Sequence, residues 1–154
     1  MSNPGNPSTV RFQRVLRAPP ERVYRAFLDP EAWAKWLPPH GFTGKVHEME
    51  PRVGGRYRMS FSNFGTQQSH GFGGRYLELL PHERLSYTAE FDPAMGLPGE
   101  MRTTVQLRAV FCGTEILIEQ TGIPAAIPAE ACCLGWQESL TLLALLVEPD
   151  IRQG

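Results

Sequence analysis

From Pro128 to Glu148 apolar side chains recur at helical spacing. Cys132, Trp136, Leu140, Leu143 and Val147 form one stripe, and Leu142 and Leu146 widen it. Pro128 suits a first helical turn, Glu130 suits the positive end of the helix dipole, and Pro149 stops the helix. At 1.5 Å per residue such a helix spans roughly 30 Å. It is the one element long and apolar enough to cover a sheet, so the rest of the chain is read by what it can lay against this rod.

What precedes it is mostly strand. Thr9–Leu16 alternates Val10 and Phe12 with Arg11 and Gln13. Two short helices follow. Pro20–Leu28 carries Val23, Ala26 and Phe27 at spacings of three and four, and Pro30–Trp36 is capped by Asp29 and ended by Pro38-Pro39. Strands are then expected over Phe42–Glu50, Arg56–Phe61, Ser69–Leu80, Arg84–Phe91, Met101–Phe111 and Thr114–Thr121. Pro51 to Gly55 and Cys112-Gly113 read as turns, and Asp92 to Gly99 as a loop. Gly71, Gly73 and Gly74 predict a bulge or strong bend in the longest strand. Within strands, Tyr57, Met59 and Phe61 share one face, and Leu85, Tyr87 and Ala89 oppose Ser86, Thr88 and Glu90. The expected organisation is a flexible start over 1–8, one domain over 9–149 and a short tail over 150–154.

Composition narrows the function classes. Among 154 residues, 42% are hydrophobic and 20% charged, with a net charge of −1, as in ordinary globular domains. No basic cluster exists to neutralise phosphates, so nucleic acid is not an expected partner. The run Leu142–Val147 is far shorter than a bilayer span. Three cysteines, two of them adjacent, make no disulfide framework and predict a reducing cytoplasm.

These elements predict an α+β helix-grip fold: a curved antiparallel sheet of six to seven strands around a long C-terminal helix, with two short helices after the first strand. Four stretches make a family resemblance specific. They are Asp29-Pro30 through Trp33 and Trp36 to Pro38; Arg52-Val53-Gly54-Gly55-Arg56-Tyr57; Gly74 to Glu78 with Pro81, Glu83 to Leu85 and Tyr87-Thr88; and Gly135-Trp136 with Leu140 and Leu143. In this order they resemble the START-like (SRPBCC) superfamily, and within it the family named after activators of the heat-shock-protein-90 ATPase. The resemblance covers about Thr9 to Glu148. It implies the helix-grip fold, and it leaves function open among lipid carriers, cyclases and chaperone partners.

A curved sheet and a straight helix cannot touch everywhere, so a cavity is expected between them. The candidates to line it are Trp36, on the helix that the resemblance implies forms a lid, Phe42, Tyr57, Met59, Phe61, Tyr76, Tyr87, Val105, Leu107, Ile118 and Gln120 on the sheet, and Trp136 and Leu140 on the long helix. If Ile118 points inward so does Gln120, whose amide could orient a ligand carbonyl or hydroxyl, while Glu119 points out. No catalytic residue is assigned. His40, His47, His70 and His82 lack metal-binding spacing, no phosphate-cradling loop is present, and neither metal nor cofactor is expected. Cys132-Cys133 reads as small apolar filler, although the helix dipole would lower a thiol pKa there.

The leading expectation is a binder of a small hydrophobic molecule. Burying about 300 Å² of ligand at about 25 cal/mol per Å² gives roughly 7 kcal/mol, less at least about 4 kcal/mol for association. Polar help from Gln120 or Tyr76 would then set affinity. Two alternatives remain. One is a protein-interaction module, in which the family name implies a chaperone partner and a stress response, without the second domain of a full activator. The other is a cyclase- or hydratase-type enzyme, for which Glu48 and His70 are the candidates. Exposed strand edges would suit a homodimer.

Overall fold

The computed structural model describes residues 8–97 and 99–150. Most of the expected flexible start, 1–8, and of the tail, 150–154, lies outside them. Ser8 itself opens β1 (Ser8–Leu16). Then come α1 (Pro20–Leu28), α2 (Pro30–Trp36), β2 (Phe42–Met49), β3 (Arg56–Asn63), β4 (Ser69–Leu80), β5 (Arg84–Phe91), β6 (Met101–Val110), β7 (Gly113–Ile123) and α3 (Ala129–Val147). The strands form one seven-stranded antiparallel sheet in the order β1-β7-β6-β5-β4-β3-β2. The α+β helix-grip architecture expected from the sequence is the one observed.

Local chemistry accounts for the short helices. Pro20 and Pro30 each occupy the first turn, where a missing N–H leaves no gap in the ladder. The Asp29 carboxylate caps α2, accepting from the Glu31 and Ala32 N–H groups at 3.0 and 3.2 Å. Trp36 is fully buried between α1 and α2. Its indole N–H donates to the Ala26 carbonyl at 2.9 Å, and its ring meets Phe27 edge-on at 4.8 Å.

Four details differ from the sequence reading. The Asp92–Gly99 loop contains one 3₁₀ turn, Pro93–Met95, closed by Gly96 at positive φ. Val110 and Gly113 pair directly, so the tight turn is Phe111-Cys112, and Phe111 stands fully exposed at its tip rather than ending a strand. A Cβ at Gly113 would strike the Leu16 carbonyl, which fixes the glycine in the ladder and moves the turn one residue back. The register of β4 shifts between Tyr76 and Glu78, not at its glycines. Those glycines instead allow close approach, since a Cβ at Gly74 would run into the Thr88 carbonyl. Finally, Ser86 and Thr88 are buried although they oppose the core face. β5 is the central strand, and neighbours on both sides cover its small side chains.

Gly74 carries a larger consequence. Tyr57 sits directly across from it, and the Tyr57 hydroxyl reaches β5 to donate to the Thr88 carbonyl at 2.6 Å. Thr88 Oγ1 in turn accepts from the Arg75 N–H at 3.1 Å. A bare glycine thus lets one tyrosine bridge three strands, a form of aromatic cover over a backbone gap.

α3 meets the length and hydropathy of a membrane-crossing helix, but a third of it is buried in this fold, where Trp136, Ser139, Leu140, Leu143, Ala144 and Val147 turn inward. Its backbone comes close to β1, α1 and α2. No comparable approach is made to β3, β4 or β5.

Replacing Gly74 with alanine should cost roughly 1–3 kcal/mol, because the new methyl meets backbone rather than a flexible side chain. Asp29→Ala should cost about 1 kcal/mol through the lost cap. Urea unfolding of both variants against the parent checks the order.

Candidate functional site

Where α3 stands away from the sheet, a cavity of about 280 Å³ opens to the surface. At about 30 Å³ per water that is room for on the order of nine waters, the low end of small-molecule sites. It lies at one end of the sheet. Phe61 near the end of β3, His70 and Phe72 at the start of β4, Ala89 and Phe91 at the end of β5, Met101 at the start of β6 and Gln120 late in β7 all line it. Antiparallel order brings these alternate strand ends together. Ala131, Cys132, Gly135, Trp136 and Ser139 of α3 face them, and Leu37, Pro39 and Ile127 complete the wall.

Of the residues singled out from sequence, Tyr57, Phe61, Tyr87, Gln120 and Trp136 stand on the cavity wall. Phe42 stands beside it, its ring 6.5 Å from Phe61 and 6.1 Å from His70. Trp36, Met59, Tyr76, Val105, Leu107, Ile118 and Leu140 point inward as their periodicity requires but pack into the solid part of the core. The Tyr76 hydroxyl is buried there without a partner, off the cavity wall. Trp33, not Trp36, is the α2 tryptophan that meets the wall from behind, edge-on to Tyr57 at 5.0 Å and to Tyr87 at 5.5 Å. Sequence reasoning did not single out Leu37, Phe72, Ala89, Phe91, Met101, Gly135 or Ser139. For Phe72, Ala89, Phe91 and Met101 the signal was position at the matching strand ends, which needs the pairing order to be read, whereas Leu37, Gly135 and Ser139 border the gap from the end of α2 and from α3.

The polar groups of the wall are few and mostly tied. Ser139 Oγ donates to the Leu37 carbonyl at 2.6 Å, fastening α3 to the end of α2. Just outside, the exposed His40 places its Nδ1 3.3 Å from Oε2 of the half-buried Glu138 across the same junction. The Trp136 indole N–H donates to Gln120 Oε1 at 3.1 Å, and Gln120 Nε2 donates to Thr103 Oγ1 at 3.1 Å. Glu119 points outward to Arg11 at 2.6 Å.

Electrostatically the wall is neutral. Burial pushes the Tyr57 and Tyr87 phenols above their ordinary range, and the neighbouring Thr103 hydroxyl partly offsets this at Tyr87. The Cys132 thiol is likewise raised, by burial first and by Cys133 second, so the dipole expected to lower it does not prevail. His70 is half-buried between the edges of Phe42 and Phe61; burial lowers its pKa, and the Asp92 carboxylate opposes that only in part. No carboxylate, lysine or arginine stands on the wall among the described residues. Glu48, a candidate for acid–base work, is exposed on β2 opposite Arg58. Among the described residues no group of three His, Cys, Asp or Glu converges to hold a metal.

The sequence profile for Activator of Hsp90 ATPase homolog 1-like protein matches residues 17–148. The chain belongs to that family. Solved structures share the same fold. Protein CV1439 from Chromobacterium violaceum is 63% identical with a TM-score of 0.90, covering 92% of this chain and 98% of that one. Protein MLL2253 from Mesorhizobium loti is 28% identical with a TM-score of 0.68, covering 94% and 100%. A Rhodobacter sphaeroides protein is 26% identical with a TM-score of 0.77, covering 90% and 91%. No curated protein matches. Membership in the Activator of Hsp90 ATPase homolog 1-like family thus accords with the helix-grip fold, and the family match spans α1 to the end of α3.

His70 makes stability depend on pH. Its folded pKa lies below the ordinary value near 6.5, so the unfolded chain takes up the proton first as pH falls. The contribution is therefore present above about pH 6.5 and is lost as pH drops through the lowered folded value. His70→Gln should flatten the fall in stability between about pH 7 and 5, measured by denaturant unfolding at each pH.

Proposed function

We propose that the chain binds a small, mostly apolar molecule in the cavity between α3 and the sheet. The observation that carries this reading is a cleft of about 280 Å³ walled by aromatic rings, with only a few convergent polar groups. Tyr57, Phe61, Phe72, Tyr87, Phe91 and Trp136 give it an aromatic lining that suits an aromatic or short acyl body. Catalysis is less well supported, because among the described residues no carboxylate stands on the wall to pair with His70 as acid or base. A chaperone partner rests on the family description alone. The exposed Leu134 and Leu145 of α3 stand apart, with Glu138 and Thr141 between them, and do not make a broad apolar patch. The cytoplasm, with Cys112, Cys132 and Cys133 as free thiols, is the compartment this reading assumes.

The test uses N-phenyl-1-naphthylamine, a neutral fluorophore that brightens in apolar surroundings. Titration into the protein should give saturable enhancement with a stoichiometry near one. Ala89→Phe places a ring in the cavity from the buried face of β5 and should abolish the enhancement while thermal stability is kept. Binding should also slow iodoacetamide alkylation of Cys132, leaving the exposed Cys112 at its own rate. Absence of saturable binding to the parent protein, or its survival in Ala89→Phe, overturns the reading.

A further inference from the structure

Three residues stand in a row across the central strands. Tyr87 of β5 pairs with Thr103 of β6, and Thr103 pairs with Gln120 of β7. Gln120 Nε2 donates to Thr103 Oγ1 at 3.1 Å, and Tyr87 stands beside Thr103 on the next strand. Trp136 closes the row from α3, donating its indole N–H to Gln120 Oε1. An indole nitrogen only donates, so the amide oxygen must face Trp136 and the NH₂ must face the other way. The orientation of Gln120 is therefore set by chemistry and not by choice of flip.

Counting protons along the row shows what is left over. The one acceptor oxygen of Gln120 is engaged by Trp136, and one of its two N–H groups by Thr103. Thr103, fully buried, accepts from Gln120. This leaves the second N–H of Gln120 as a donor, with the Tyr87 hydroxyl in the same row, and both residues stand on the cavity wall. The other hydroxyl protons of the wall are spent, Tyr57 on the Thr88 carbonyl and Ser139 on the Leu37 carbonyl.

We infer that the cavity selects neutral ligands carrying a hydrogen-bond acceptor, a carbonyl or ether oxygen on an apolar body, held by the Gln120 amide N–H and the Tyr87 hydroxyl. This rests on the reading of the cavity as a ligand site and names the ligand's chemistry. A carboxylate of the same shape is disfavoured, because among the described residues the wall offers it no lysine or arginine and desolvating the charge would go uncompensated. A pure hydrocarbon fits the rings but leaves the two donors without partners.

Three naphthalenes of similar shape separate these cases: 2-acetylnaphthalene, 2-ethylnaphthalene and 2-naphthoate, each competed against N-phenyl-1-naphthylamine at pH 8. The ketone should bind about tenfold tighter than the ethyl compound, the yield of one to two net hydrogen bonds, and 2-naphthoate should bind weakest. In Gln120→Met and, separately, Tyr87→Phe, the ketone-to-ethyl ratio should fall towards one. The Tyr87 variant removes a single oxygen and guards against a folding defect in the other. Equal binding of ketone and ethyl compounds to the parent protein, or 2-naphthoate binding as tightly as the ketone, overturns the inference while leaving the cavity reading standing. Failure of all three and of the fluorophore overturns both.

Discussion

α3 is fastened along one side only, and the cavity exists because of it. At its C-terminal end the Val147 carbonyl accepts from Arg22 of α1 at 2.9 Å, and Glu148 accepts from the Arg17 N–H at 3.0 Å. In its middle Ser139 is bonded to Leu37 at the end of α2. Towards its N-terminal half it reaches the sheet through Trp136 and Gln120. A straight rod held this way against β1 and the short helices cannot follow the sheet as it curves away through β3, β4 and β5. Interiors pack densely, so a gap of this size persists only where the bordering side chains are held by one another. Here they are: Phe61 meets Phe72 edge-on at 5.0 Å, and Tyr57 meets Tyr87 at 5.8 Å with Trp33 wedged behind both.

The same fastening shapes the chemistry. Trp136 is both a packing residue, 6.1 Å from Phe12, and the donor that orients Gln120. Moving α3 would therefore change the width of the cavity and the direction of its amide together. The buried Thr103 within the row keeps the arrangement from depending on solvent. A wall whose tyrosines, thiol and imidazole all favour their neutral forms is an environment for recognising shape and a dipole rather than a charge.

Much of the fold could be read from local pattern. The alternation Tyr57, Met59, Phe61 placed β3 correctly face by face, Asp29 capped α2 as expected, and the parity that set Gln120 inward with Ile118 also sent Glu119 out to Arg11. Period two and period 3.6 are properties of the backbone itself, so inward and outward could be assigned without knowing any neighbour. The cavity wall was legible only in part. Tyr57, Tyr87 and Gln120 stand on it, but Met59, Tyr76 and Ile118 share those inward faces and pack into solid core. His70 had only its place at a strand start to mark it, and Ala89 and Gly135 had no chemical signal, being small.

The amino-acid sequence by itself determined the order of the elements, their caps and breaks, and which side of each strand faces the helix, because these follow from dihedral preferences and spacing along the chain. The tertiary structure alone decided where along those strands the helix departs, which small residues border the gap, and how Thr103, Gln120 and Trp136 come to be hydrogen-bonded to one another. Those outcomes depend on how side-chain volumes from five strands and one helix add up across distant positions, a sum that no local window contains.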